Sequence, residues 1–278
     1  MKYLYLSILL CIASIKCFGQ ADSSKTTLTL AAIYSTNANY YGQVSEEKLP
    51  YLLTNATLRL PFGLYFSGSA YRLLNTTGGS VVSAGELGTG LDITMSKSVT
   101  STISFSHAFF PTNSPMLKAG NNNSLSASLN YAWWLTTALN ADYIFGGDSN
   151  SKDVFVTFST SKQIGLGSIT QSDQITLSPA IDVIGGTQQF YETYMTKKEK
   201  GLFGKIIPPI IPSGGDKTTT RSYTDFNLMS YNLKLPLAYN RSNYVIEAAF
   251  QQSVLAENAK PSFEHSSSFF NMSFYYQF

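Results

Sequence analysis

The sequence predicts an all-β protein: a closed antiparallel transmembrane β-barrel of about twelve strands, with short turns at one end and longer loops at the other. Three observations carry this reading. Apolar residues recur with period two along most of the chain, and no apolar run long enough for a membrane helix follows the first twenty or so residues. Charged residues are 13% of the chain and aromatics 14%, with 18 Tyr and 18 Phe. That balance suits a wall with one apolar face and one mildly polar face. Finally, long and short links alternate, which places successive links at opposite ends of a barrel.

The elements follow in order. Leu28, Leu30, Ala32 and Tyr34 alternate with Thr29, Ala31 and Ile33, and Ala56, Leu58 and Leu60 alternate with Asn55, Thr57 and Arg59. Strands with the same period are predicted around Leu87–Met95, Leu125–Trp133, Leu139–Phe145, Ile175–Val183, Tyr244–Phe250 and Phe270–Phe278. Less regular strands are expected at Leu64–Tyr71, Ile103–Phe109, Val154–Thr160 and Tyr231–Tyr239. The links at Asn37–Pro50 and Pro111–Asn123 are long, and those at Pro61-Phe62-Gly63 and Asn240-Arg241-Ser242 are short. The link Gln163–Asp173 breaks the alternation by its length, and the longest link runs from about Gly185 to Arg221. Closing the sheet is the physical requirement. In hydrocarbon every backbone N–H and C=O needs a partner, and an open sheet leaves two unpaired edges.

Met1 to Gly19 reads as a secretory signal peptide. Lys2 gives the positive start, Tyr3–Ile15 the apolar segment, and Cys17-Phe18-Gly19 puts small residues at the −3 and −1 positions of a cut before Gln20. The expected organisation is a leader at 1–19 and one barrel domain at 20–278. Both cysteines fall in the leader, so the mature barrel has none to form a disulfide. Removing Lys2 and Lys16 leaves 17 basic against 17 acidic residues, a balance with no global basic surface for nucleic acid. A water-soluble β-sandwich also alternates, but it explains neither the link pattern nor the chain's ending.

That ending is FFNMSFYYQF. Phe270, Met272, Phe274, Tyr276 and Phe278 form one apolar face, interleaved with Asn271, Ser273, Tyr275 and Gln277. It resembles the C-terminal strand of Gram-negative outer-membrane β-barrel proteins, where alternating apolar residues finish in a terminal Phe. The resemblance implies an outer-membrane location, an outer face against lipid and lipopolysaccharide, and recognition of these five residues by the barrel assembly machinery. It names no solute.

The chemistry-bearing residues are few. The two histidines are far apart and the mature chain lacks Cys, so no metal spacing or other cofactor signature is present. GELGTGLD (Gly85–Asp92) lacks the Lys-Ser/Thr of a phosphate loop and reads as strand glycines that thin the wall or mark a bulge. His107 shares the apolar face with Ile103, Phe105 and Phe109. His265, with Glu264 before it and Ser267 two residues on, resembles the Ser–His pair of outer membrane phospholipase A. No Asn partner on a neighbouring strand is assignable, so the chain is read as non-enzymatic. On the polar face, Arg59, Glu86, Asp92, Asp142, Asp182, Lys234 and Glu247 are expected to line the lumen. Five acids against two bases favour cations if water passes. In the longest link, Lys200 and Lys205 precede the apolar patch Ile206, Ile207, Pro208, Pro209, Ile210, Ile211 and Pro212. Exposed isoleucines there call for cover, from the barrel mouth as a lid, from a protein partner, or from lipid. The function expected is a small diffusion channel or solute transporter, gated by the 185–221 loop. A barrel that presents its loops to a partner is the alternative, and a hydrolase the least favoured reading.

Overall fold

The computed structural model describes residues 25–44, 48–75, 82–110, 116, 122–146, 152–189, 225–257 and 265–278. The leader at 1–19, Glu264 and the Lys200–Pro212 patch lie outside them. The first seven strands are β1 (Thr27–Ser35), β2 (Tyr51–Arg59), β3 (Leu64–Leu73), β4 (Ala84–Thr94), β5 (Val99–Phe109), β6 (Asn123–Ala132) and β7 (Thr136–Phe145). The rest are β8 (Lys152–Ser161), β9 (Ile164–Gly167), β10 (Asp173–Leu177), β11 (Ala180–Gly186), β12 (Asn227–Arg241), β13 (Tyr244–Leu255) and β14 (Ser266–Gln277).

These strands build a closed twelve-membered antiparallel wall. Neighbours pair in sequence order from β1 to β8; β8 then pairs β11, β11 pairs β12, and β12, β13 and β14 follow. The last strand returns to the first: Thr29 faces Gln277 and Ser35 faces Asn271, and the Phe278 amide donates to the Leu28 carbonyl at 2.9 Å. Two wall members are broken strands. β8 continues as β9 past Lys162-Gln163, and β10 as β11 past Ser178-Pro179, while β12 pairs with both halves of the latter. The break has a cause. Pro179 has no N–H to give the ladder, and Pro236 lies beside it on β12, its carbonyl taking the Ser178 amide at 2.9 Å.

The link Gln163–Asp173, too long for a turn, therefore contains the short strand β9 and runs into β10. β9 and β10 extend the wall as a hairpin beyond the start of β7, whose pairing with β8 stops at Thr136–Ser161. The expected strand at Tyr231–Tyr239 is also longer, Asn227–Arg241, because β12 must serve two partners on one side. The glycine-rich stretch of β4 carries no bulge, since its registers with β3 and β5 run unbroken. Its glycines instead make room. A Cβ at Gly90 would lie 2.5 Å from the Tyr65 Oη, so the ring can lie against the wall only because position 90 has no side chain.

Period two sorts the two faces. Outward go Leu30, Leu58, Phe66, Ile103, Leu125 and Phe274, all exposed. Inward go Ser, Thr, Asn and the charges. At the short-turn end Phe62, Trp133, Trp134 and Phe278 stand exposed, and Phe278 meets Tyr276 edge-on at 4.6 Å. Rings at this level match the interfacial girdle of a membrane barrel. A continuous apolar belt on a closed wall is a lipid-facing surface, and it fixes the lumen as the place where polar chemistry happens.

Candidate functional site: a lumen crossed by the first outer loop

The loop between β1 and β2 enters the barrel. Its base is tied by Asn37, whose Oδ1 accepts from the Ala38 amide at 2.9 Å and the Leu49 amide at 2.7 Å. Its tip is a two-residue turn. Tyr40 and Gln43 exchange both backbone hydrogen bonds, at 2.9 and 3.0 Å, with Tyr41 at φ 51° and Gly42 at φ 89° between them. Positive φ at both central residues is the hairpin turn of type I′. Asn39 Oδ1 takes the Gly42 amide at 2.7 Å and stiffens the tip further.

The tip reaches the far wall. β7 is six places from β1 in a ring of twelve, so it stands diametrically opposite. There the Tyr41 Oη donates to Asp142 at 3.0 Å, and its ring stacks on Phe155 of β8 with centroids 3.7 Å apart and planes 7° from parallel. Ser230 of β12 donates to the Tyr41 carbonyl at 3.0 Å, and Asn39 donates to Ser253 of β13 at 3.3 Å. Ile144, Phe155, Ile184 and Met229 are buried against Tyr40 and Tyr41. On the near side Leu49 is buried with Leu73, Ala84 and Met116. Burial pushes the Tyr40 and Tyr41 phenols well above the ordinary tyrosine value, with Asp153 and Asp142 adding to the first and Tyr40 and Asp142 to the second. Both phenols stay protonated, so Tyr41 is a donor to the carboxylate.

Magnitudes explain why Tyr41 tolerates a left-handed backbone. That conformation costs a non-glycine residue roughly 1–2 kcal/mol. A hydrogen bond to a charged group contributes about 1.5–3 kcal/mol, and ring stacking adds about 0.5–1.5 kcal/mol. The contacts outweigh the strain, and they exist only while the loop is seated.

Loop 1 divides the lumen. On one side lies a cavity of about 500 Å³ against β2 to β7, and on the other one of about 330 Å³ against β8 and β11 to β14. Asn39, Tyr41 and Tyr51 border both. The seven charges expected in the lumen fall at different depths. Arg59 and Asp92 form an ion pair, and Thr102 donates to the same carboxylate at 2.7 Å. Lys234 and Asp182 pair at 2.6 Å in the smaller cavity. Glu86 and Asp142 line the larger one. Glu247 sits on β13 beside Ala238 of β12 and Ser273 of β14, both buried. The structure thus groups the seven into two ion pairs, one carboxylate couple around a cavity, and one separate carboxylate.

Sequence reasoning missed Tyr40, Tyr41, Gly42 and Phe155, which shape the constriction, and Asp153, fully buried and accepting from Thr187 Oγ1 at 2.7 Å. The signal available was NYYGQ: two aromatics directly before a turn glycine in an otherwise polar link.

No family model and no curated protein matches the chain. Among solved structures it is similar to the KdgM porin, at 9% identity and a TM-score of 0.48 over 90% of this chain and 99% of that one. An outer-membrane channel from Pseudomonas putida F1 matches at 10% identity and 0.47, over 91% and 95%. LpxR from Salmonella typhimurium matches at 8% and 0.44, over 90% and 99%. At such values the cargo and chemistry of those proteins do not transfer, and the lumen must be read from its own residues.

Proposed function

We propose that the protein is a narrow outer-membrane diffusion channel for small polar solutes, cation-preferring, with loop 1 as its constriction. The observation that carries this reading is a polar lumen that keeps two cavities open beside the loop. Charge supports the preference. Among the seven charged positions five are acids and two are bases, and the two bases pair with Asp92 and Asp182. Carboxylates lining a water path lower the barrier for cations and raise it for anions. Single-channel recording of the refolded barrel tests this: small conductance and a reversal potential on the cation side of zero under a KCl gradient are expected. Anion preference would count against it.

A second reading is a barrel that conducts nothing and presents its outer loops to a partner. The apolar packing of loop 1 on both walls favours it, because a seated plug needs no flow. Electrically silent barrels of normal fold are its expected outcome.

Assembly supplies a further expectation. The pairing of Phe278 with Leu28 closes the ring, and its exposed ring is available to an assembly factor. Deleting Phe278 should lower folded protein in the outer membrane without changing the conductance of the barrels that form. Normal amounts of heat-modifiable protein after the deletion would argue against it.

A further inference from the structure

We propose that the smaller cavity is a binding site for a neutral polyhydroxylated solute of monosaccharide size. The site deepens the channel reading by naming a solute class, and its test needs no flow. Asn232 is the starting point. Its side chain lines the cavity, the residue is 4% exposed, and its Oδ1 has no hydrogen-bond partner. A buried amide oxygen without a donor is a standing cost to the fold.

The surrounding groups leave that oxygen unmet. Asp182 stands opposite Asn232 in the β11–β12 register, but an ionised carboxylate only accepts, and it pairs with Lys234 at 2.6 Å. Ser253 stands opposite on β13 and already accepts from Asn39 at 3.3 Å and from Gln251 at 3.0 Å. On the seated loop, a Cβ at Gly42 would lie 3.7 Å from the same oxygen, yet the Gly42 amide donates to Asn39 Oδ1 at 2.7 Å. The missing donor must come from what fills the cavity.

The rest of the lining says what kind of donor. Asn37, Asn39, Asn232, Gln251 and Asn271 all border this space, and of these only Asn39 also borders the larger cavity. Each side-chain amide offers one end that donates and one that accepts, the pairing a hydroxyl can meet in both directions. Charge balances locally, because among the described residues Asp182 and Lys234 are the two charged groups on the lining, and they form one pair. An anion that took Lys234 would leave the buried Asp182 without its counter-charge, and a cation would displace Lys234 from it. An apolar solute would leave the Asn232 oxygen without a donor. A neutral polyol avoids all three conflicts. The lysine side chain is 41% exposed, so its remaining N–H groups can donate to a hydroxyl while the pair stays intact. Tyr51 and Phe269 add apolar surface for the C–H face of such a solute. At about 330 Å³ the space lies at the small end of ligand pockets.

The test uses the full-length barrel refolded in a zwitterionic detergent without sugar groups. Saturation-transfer NMR follows titration with glucose, with glucuronate and protonated glucosamine as charged counterparts and empty micelles as the blank. Saturable binding of glucose, at least about tenfold tighter than either charged analogue, is expected, the equivalent of ~1.4 kcal/mol. Asn232→Leu should weaken glucose binding about tenfold without lowering the unfolding temperature on unboiled gels, because the substitution removes an unsatisfied polar group at nearly constant volume. Asp173→Asn alters an acid that lines neither cavity and should leave binding within about twofold. No saturable signal, the result if water alone fills the space, overturns the site. So do equal binding of the charged analogues, undiminished binding in Asn232→Leu, and equal loss in Asp173→Asn. If Asn232→Leu fails to fold, the comparison of glucose with its charged analogues on the native barrel still decides. The channel reading fails separately: binding without conductance keeps the site and removes the channel, and conductance without binding does the reverse.

Discussion

Gly42→Ala should unseat loop 1 and raise the conductance of the barrel while leaving its wall intact. The substitution acts twice at one point. A Cβ at position 42 would lie 2.2 Å from Ser230 Oγ and 2.4 Å from Ser230 Cβ, and the second atom cannot rotate away. The backbone there also has φ 89°, which an L side chain resists. Left-handed strain and the displaced tip together come to about 1–3 kcal/mol. A shift of that size moves the seated-to-unseated ratio by roughly 5–150-fold, enough to turn rare openings into resolved events in single-channel records. The strands do not share the cost, since β1 and β2 pair along their whole length below the loop. Heat-modifiability should therefore stay close to normal. Unchanged conductance with a correctly folded wall would remove loop 1 as the constriction.

The contrast between wall and loop also explains what the sequence disclosed. Alternation such as Leu28-Thr29-Leu30 or Phe270-Asn271-Met272 states the strand, its faces and, through closure, the barrel, because lipid outside and polar groups inside act on every second residue. Charges announce themselves too: Glu86 and Asp142 stand out in apolar-alternating segments. Pairing is another matter. That Arg59 meets Asp92 and Lys234 meets Asp182 depends on register across neighbouring strands, which period two leaves open. The loop was illegible for a deeper reason. Tyr41 gains its seat from Asp142, Phe155 and Ser230, which are 101, 114 and 189 positions away, and no local pattern encodes a contact across a lumen. The local hint, YYG, states a turn but not its destination. The Ile206–Pro212 patch stands out by its composition and lies outside the described residues; the link seen to cross the lumen is the shorter and plainer one between β1 and β2.

Lys234→Met is expected to destabilise the barrel and sharpen its cation preference together. Asp182 is buried, with its side chain 6% exposed, and Lys234 is the cation that compensates it at 2.6 Å. Removing one partner of such a pair leaves a charge with neither water nor counter-ion. The lysine end is 41% exposed, so water reaches the gap and moderates the loss to about 1–3 kcal/mol. The unfolding step seen on unboiled gels should move to lower temperature. Arg59→Met is the internal comparison. That pair is wetter on both sides, at 42% and 29%, and pairs of this kind contribute about 0–1 kcal/mol. Adding Asp182→Asn to Lys234→Met should recover most of the lost stability, because the double variant has no uncompensated charge. The same pair of variants separates charge from fold in conduction. Lys234→Met leaves one more carboxylate facing the lumen and should push the reversal potential further toward cations, while the double variant should return it to the starting value. A double variant as unstable as the single one would show that the lysine acts through packing of its stem and not through its charge.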